Sequence, residues 1–256
     1  MSLNPRLTDW QGKRVWLVGA SSGIGLACAR ALREAGAIVT LSARAPREVL
    51  AWSQADPQVR WRAVDVSSPQ ALATAAQALA AEGPLDLVLY CAGHYQPMRA
   101  DELDLTELLR HDDINYRGAL RLLDAVLPIL LRQGHGHLSL VSSVAGWHGL
   151  PQSLAYGPTK AALTHLAEVL WLDLQPRGIG VSVIHPGFVA TPLTAGNAFA
   201  MPALMQPPEA ARAMLRGWAR GQFNIQFPRR FTFWLQALRL LPYRWSLPLV
   251  RRMTGL

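Results

Sequence analysis

RVWLVGASSGIGLACARALREAGAIVTLSA, residues 14–43, decides the architecture. RVWLVGA (14–20) is an almost unbroken apolar run, the pattern of a strand covered on both faces. A turn punctuated by glycines follows, then a helix from about Ile24 to Ala35, then a second strand, AIVTLSA (37–43). The alternation continues. VRWRAVDV (59–66), LDLVLYCAG (85–93), HLSLVSSV (137–144) and GVSVIHPG (180–187) read as strands. Helices are expected over Pro46–Ala55, Pro69–Ala81, Leu103–Arg132 (interrupted by Gly118 and Pro128) and Leu154–Leu174. Strands separated by helices of this length predict an α/β, doubly wound parallel sheet of the Rossmann-like kind.

Composition agrees. A chain of 256 residues, 50% hydrophobic and 16% charged, has the size and apolar content of one large α/β domain with a single large core. Cys28 and Cys91 exclude a disulfide scaffold, and neither stands at zinc-ligand spacing. No apolar run is long enough for a membrane span and no signal peptide is read at the start, so a cytoplasmic protein is expected. The net charge of +8 is localised. Nine arginines (212, 216, 220, 229, 230, 239, 244, 251, 252) and one acid, Glu209, fall from residue 209 onward, whereas residues 1–208 carry 16 basic and 16 acidic groups. The body is neutral, which argues against nucleic acid, and the C-terminal segment holds the whole excess.

Chemistry is expected first at Gly19-Ala20-Ser21-Ser22-Gly23-Ile24-Gly25. Glycines between a strand and a helix let the backbone approach a pyrophosphate, and the helix N-terminus supplies amides and partial positive charge. At the end of the second strand, Leu41-Ser42-Ala43-Arg44 has no acid to hold ribose hydroxyls. Arg44 is instead suited to a 2′-phosphate, favouring NADP(H) over NAD(H). Asp65-Val66 would lie beside the adenine, with Asp65 alternatively capping the helix that begins at Pro69.

Tyr156-Gly157-Pro158-Thr159-Lys160 puts a phenol and an ammonium at i and i+4 on one helix face. An ammonium about 4 Å from the phenol favours phenolate by roughly 4 kcal/mol at an effective dielectric of 20, less what desolvation takes back. The pair is thus suited to general acid–base work. Because proline is tolerated only in a first turn, Pro158 places the helix start close to Tyr156.

Together these motifs resemble the short-chain dehydrogenase/reductase family over residues 13 to about 222. The likeness rests on the glycine loop 19–25, Cys91-Ala92-Gly93, Asn115, Ser143, the Tyr156/Lys160 pair, and Pro186-Gly187 with Thr191. The resemblance implies that Ser143 donates to a substrate carbonyl and that Tyr156 delivers the proton. It also implies that Lys160 holds the nicotinamide ribose, that Asn115 positions a relay water, and that Val189 and Thr191 grip the carboxamide. Val18 and Cys91 stand where threonine and asparagine are common in the family, with small expected effects. The implied activity is NADP(H)-dependent interconversion of a carbonyl and an alcohol, by a homodimer or homotetramer. A 3-oxoacyl-carrier-protein reductase and a non-catalytic NADP(H)-binding regulator are the alternatives.

Other residues divide between pocket and packing. Tyr95, Trp147 and His148, with His94, follow strand ends and are candidate pocket walls, core packing being the alternative for the two aromatics. His135 and His137 are expected at the surface and His185 buried. No histidine pair has a carboxylate partner at metal-ligand spacing, and no metal is expected. The chain is divided into a catalytic domain, 1–222, with a substrate flap over 191–208, and an Arg/aromatic-rich extension, 223–256. In the extension Phe231, Trp234, Leu235, Leu238 and Leu241 recur at helical spacing. That helix would lie peripherally on an anionic membrane, cover the pocket, pack on a partner subunit or receive an acidic carrier protein.

Overall fold

The computed structural model describes residues 2–46, 49–197 and 201–254. Seven strands form one sheet in the order β3-β2-β1-β4-β5-β6-β7, every pairing parallel. They are β1 (Arg14–Val18), β2 (Ile38–Ala43), β3 (Val59–Ala63), β4 (Leu87–Tyr90), β5 (Gly136–Val141), β6 (Ile179–Pro186) and β7 (Asn224–Phe227). The helices are α1 (Gly23–Glu34), α2 (Val49–Ala55), α3 (Pro69–Ala81), α4 (Leu105–His111), α5 (Gly118–Gln133), α6 (Tyr156–Leu174), α7 (Pro207–Ala219), α8 (Arg229–Arg239) and α9 (Tyr243–Met253). The chain steps outward from β1 to β3, then crosses back to β4. That reversal opens a crevice beyond the carboxyl ends of β1 and β4.

Side chains on β1 alternate between two core layers. Trp16 and Val18 pack with Leu72, Leu122 and Leu163 of α3, α5 and α6. Val15 and Leu17 pack with Leu32, Met214 and Trp218 of α1 and α7. Because both faces are covered, the strands needed apolar residues throughout, which is why they read as continuous runs.

Several expectations change. The sheet continues past residue 222, since Asn224–Phe227 pairs with Val183–Pro186 as β7; four residues carry too little pattern to be read as a strand. The helix expected over Leu103–Arg132 is α4, a π-helical turn (Asp112–Arg117) and α5, with Pro128 inside α5. Helix α6 begins at Tyr156, where Pro158 required it. The flap segment is pinned at its base by Ala190 N donating to Met205 O and Met205 N donating to Phe188 O. Its residues 198–200 lie outside the described residues.

His137 is a correction. It is buried on β5 rather than exposed, its Nε2 2.8 Å from Ser182 Oγ. The neighbouring glycines suggested a loop, but inward alternation along the strand won. His185 is buried as expected, between Thr164 Oγ1 and Asn224 Oδ1. Burial lowers the pKa of His137 to about 3 and that of His185 to about 4.

Both folded values lie below the ordinary 6.5, so the unfolded chain takes up protons first on acidification. Stability is therefore fully present above about pH 6.5 and is lost as pH falls toward the folded values, by about 1.4 kcal/mol per histidine per pH unit. Denaturant melts across this window should show a steep acid limb, shallower by about one proton in His137→Gln.

Candidate active site

At the end of β1 the chain turns at Gly19, whose φ is +87°. A side chain there would overlap the Ala92 backbone, so glycine lets the first loop lie directly on the loop after β4. Helix α1 then begins with Ser22 in extended conformation, its hydroxyl bonding none of the first-turn amides. There is no acid in that turn. An uncapped helix N-terminus facing a crevice attracts an anion. The Gly25 amide is directed at Cys91, whose thiol burial pushes up to about 11.

The crevice is a cleft of about 430 Å³. Its lining includes Gly19, Ser21, Ser22, Gly23, Ile24 and Gly25 from the first loop, and Arg44 from the end of β2. Asp65 and Val66 after β3, and Cys91, Ala92 and Gly93 after β4, also face it. Asp65 does not cap α3; Ser68 does, by accepting from Ala71 N. The Asp65 carboxylate instead accepts from Ser67 N and Ser67 Oγ, and these bonds with nearby Arg44 hold its pKa low.

The end of β5 organises the other half. Val141 O accepts from Lys160 Nζ at 2.9 Å. Ser142 Oγ donates to Lys160 O at 2.7 Å. Ser143 Oγ accepts from Ala145 N and bonds the Tyr156 phenol. Gly146 lies so close beneath α6 that a Cβ would stand 2.7 Å from the Lys160 carbonyl carbon. Three consecutive residues of one strand end thus fix the first turn of α6, and Ser143, Tyr156 and Lys160 line one cleft.

Electrostatics here differ from the simple pair. The Lys160 ammonium lies 5.5 Å from the Tyr156 ring centre. Burial pushes the Tyr156 phenol above its ordinary value, opposed by the Ser143 hydrogen bond. Burial also lowers Lys160 to about 8. Desolvation therefore outweighs the depression of the tyrosine pKa expected from Lys160.

Asn115 sits in the π-helical turn, buried beneath the cleft rather than lining it. Its carboxamide accepts from His94 N at 2.7 Å and donates to His94 O and Thr159 Oγ1, both at 3.0 Å. His94 lines the cleft and bonds Glu107. Glu107 neighbours His111, whose Nδ1 bonds Glu107 O and whose Nε2 accepts from Gln96 N. The Glu107 carboxylate thus bonds His94 and lies 3.4 Å from His111 Nδ1, so two histidines do gather at one carboxylate, against the expectation from their spacing in sequence. Both nitrogens of His111 are taken by backbone, and the cluster clamps loop 94–96 to α4. Glu107 and His111 at i and i+4 were readable as one helix face, but His94 joins them only in three dimensions.

Pro186, Gly187, Val189 and Thr191 close the cleft's remaining wall, with Thr194 as an addition the sequence did not single out. Thr194 Oγ1 accepts from Thr191 N and donates to Val189 O, fixing this segment. Tyr95, Trp147 and His148 do not line the cleft. Tyr95 stacks edge-on against Tyr156 at 5.0 Å, Trp147 is buried against the His185 ring, and the partly buried His148 bonds Gly149 O.

The short chain dehydrogenase family model matches residues 13–200. The chain belongs to the short-chain dehydrogenase family. It is an oxidoreductase of that family. An uncharacterised oxidoreductase of Myxococcus xanthus is 36% identical over 231 residues, covering 88% of this chain and 91% of the relative. A 3-dehydrosphinganine reductase of Danio rerio is 30% identical over 245 residues, covering 88% and 74%. Among solved structures, a short-chain dehydrogenase from Streptomyces avermitilis superposes with a TM-score of 0.79 at 27% identity, covering 89% of this chain and 92% of that one. An actinorhodin polyketide ketoreductase determined with NADPH shares the fold at a TM-score of 0.76 and 23% identity, covering 86% and 97%.

Glu107→Ala leaves His94 without its partner and loosens loop 94–96. Loss of this part-buried charged hydrogen bond should cost about 2 kcal/mol, a drop of roughly 4–8 °C in melting temperature, with Glu107→Gln recovering part of it. Calorimetry of the three proteins checks this.

Proposed function

We propose that this oxidoreductase uses NADP(H) to interconvert a carbonyl and an alcohol on a lipophilic substrate. The observation that carries the reading is the convergence of Ser143, Tyr156 and Lys160 on one cleft. The cleft's other end suits the dinucleotide. The glycine cradle at Gly19 and the uncapped first turn of α1 fit a pyrophosphate, and Arg44 with no acid on its strand end fits a 2′-phosphate. Val66 and Asp65 would flank the adenine, and Val189 with Thr191 would hold the carboxamide. Bound NADPH supplies the hydride.

The chain's own groups handle the proton. Ser143 Oγ donates to the substrate oxygen, and Tyr156 Oη delivers a proton to that oxygen as its charge develops. Pre-placed donors at this position supply the electrostatic stabilisation that is usually the largest catalytic contribution. Lys160, held by Val141 O, stabilises the phenolate left behind and binds ribose hydroxyls. Asn115, locked to His94 and Thr159, fixes the floor under Lys160.

A lipophilic substrate fits the apolar Ile114, Val189, Pro192 and Leu193 on the cleft wall. The likeness to a 3-dehydrosphinganine reductase supports reduction of a carbonyl compound. We assign the catalytic unit to residues 1–222 together with β7, and the residues beyond β7 to an extension. Exposed Leu120 and Leu131 on α5, with Val169 and Leu172 on α6, suit self-association of this unit.

Tyr156→Phe should lower kcat for NADPH-dependent ketone reduction about 10²–10⁴-fold with NADPH affinity little changed. Retained turnover in that variant would contradict the reading. Because Lys160 titrates at about 8, it is an ammonium below that pH and neutral above it. Reduction should therefore fall as pH rises through about 8, read from the pH profile of kcat.

A further inference from the structure

The C-terminal residues bury little of the apolar surface they carry. On α8, Phe231, Leu235 and Leu238 are spaced i, i+4 and i+7 and turn inward, Phe231 against Gly187 and 5.8 Å from the Phe188 ring. The opposite side carries Phe233, with Leu240 just beyond the helix end, and Trp234 stands exposed on the flank between the two sides. Phe233 is 64% exposed and Trp234 69%. Helix α9 buries only Ser246 and Val250, leaving Tyr243 78% and Trp245 55% exposed. No other phenylalanine, tyrosine or tryptophan among the described residues is this exposed. Neither Leu238 nor Val250 joins either core layer of the domain.

Charge accompanies this surface. Arg229, Arg230, Arg239, Arg244, Arg251 and Arg252 are all exposed, and no acidic residue follows Glu209. Arg244, Arg251 and Arg252, at i, i+7 and i+8, share one side of α9. Exposed tryptophan and tyrosine beside arginines suit a boundary that is apolar on one side and anionic on the other. A second copy would bring the same excess of positive charge, which opposes self-pairing through this face. No helix among the described residues is long and apolar enough to cross a membrane, so the surface suits lying on a bilayer rather than spanning it.

We propose that α8 and α9 dock this protein on an anionic lipid bilayer. The aromatic and leucine side chains enter the headgroup boundary, and the arginines meet lipid phosphates. Phe231 ties α8 to Gly187, which lines the cleft, so the docked surface adjoins the cleft wall.

The test is co-sedimentation of the full chain with phosphatidylcholine vesicles, with and without phosphatidylglycerol. Partitioning should be at least about tenfold stronger on the anionic vesicles and should collapse at about 1 M salt, where screening acts within about 3 Å. Arg230→Gln with Arg252→Gln should weaken it about 25-fold, at about fivefold per arginine. Brominated lipid should quench tryptophan fluorescence in the unaltered protein, and less in Trp234→Ser with Trp245→Ser. The quenching decides the matter if that variant fails to fold. Failure to bind anionic vesicles at low salt, or binding without quenching, overturns the proposal. So does a concentration-dependent dimer abolished by the tryptophan replacements, which gives the face to a second copy.

Discussion

The grip of the β5 end on the first turn of α6 is the constraint on which the rest of the site depends. Val141 holds the Lys160 ammonium, Ser142 holds the carbonyl of the same residue, and Ser143 meets the Tyr156 phenol. Strand residues are among the most rigidly placed in a fold, and a side chain at a strand end is aimed by the whole sheet. Burying a lysine is costly, and burial lowers its pKa toward 8. The Val141 carbonyl offsets part of that cost, while the low local dielectric strengthens whatever the ammonium faces. Gly146 is part of the same device, because only a glycine lets the turn after β5 slide under the Lys160 backbone.

A second constraint joins this half of the cleft to the other. Gly19 and Ala92 touch where the strand order reverses, so the loops after β1 and β4 meet at one point. From there the lining runs one way to Arg44 and Asp65 and the other way, past Gly93, to Lys160. The clamp of Glu107 on His94 holds that second path, since His94 carries the backbone groups that fix Asn115. Desolvation is the common cost across the site. It raises Tyr156, lowers Lys160 and raises Cys91, and each of these groups is kept in place by a specific hydrogen bond.

Much of this was legible in the sequence because local rules and tertiary demands agreed. The apolar runs gave six strands, and Pro69–Ala81 is a helix between the expected ends because Ser68 and Pro69 form a strong start. Pro158 located the start of α6 at Tyr156. What escaped depended on contacts distant in sequence. NIQF is a strand only because β6 offers it an edge. His137 looked like a loop residue from its glycine neighbours, yet strand alternation buries it. The π-helical turn at Asn115 and the meeting of His94 with Glu107, thirteen residues apart, leave no periodic mark. The extension's apolar stripe was visible, but not that α8 turns one apolar side in and another out.

Cofactor choice is the most direct measure of whether the cleft works as described. Purified protein should be titrated with NADPH and with NADH, following energy transfer from tryptophan to the bound nicotinamide. Much tighter binding of NADPH, with the preference abolished by Arg44→Asp, is the predicted result. Preference for NADH would contradict the assignment of Arg44 to a 2′-phosphate. Binding of neither would contradict the dinucleotide cleft itself.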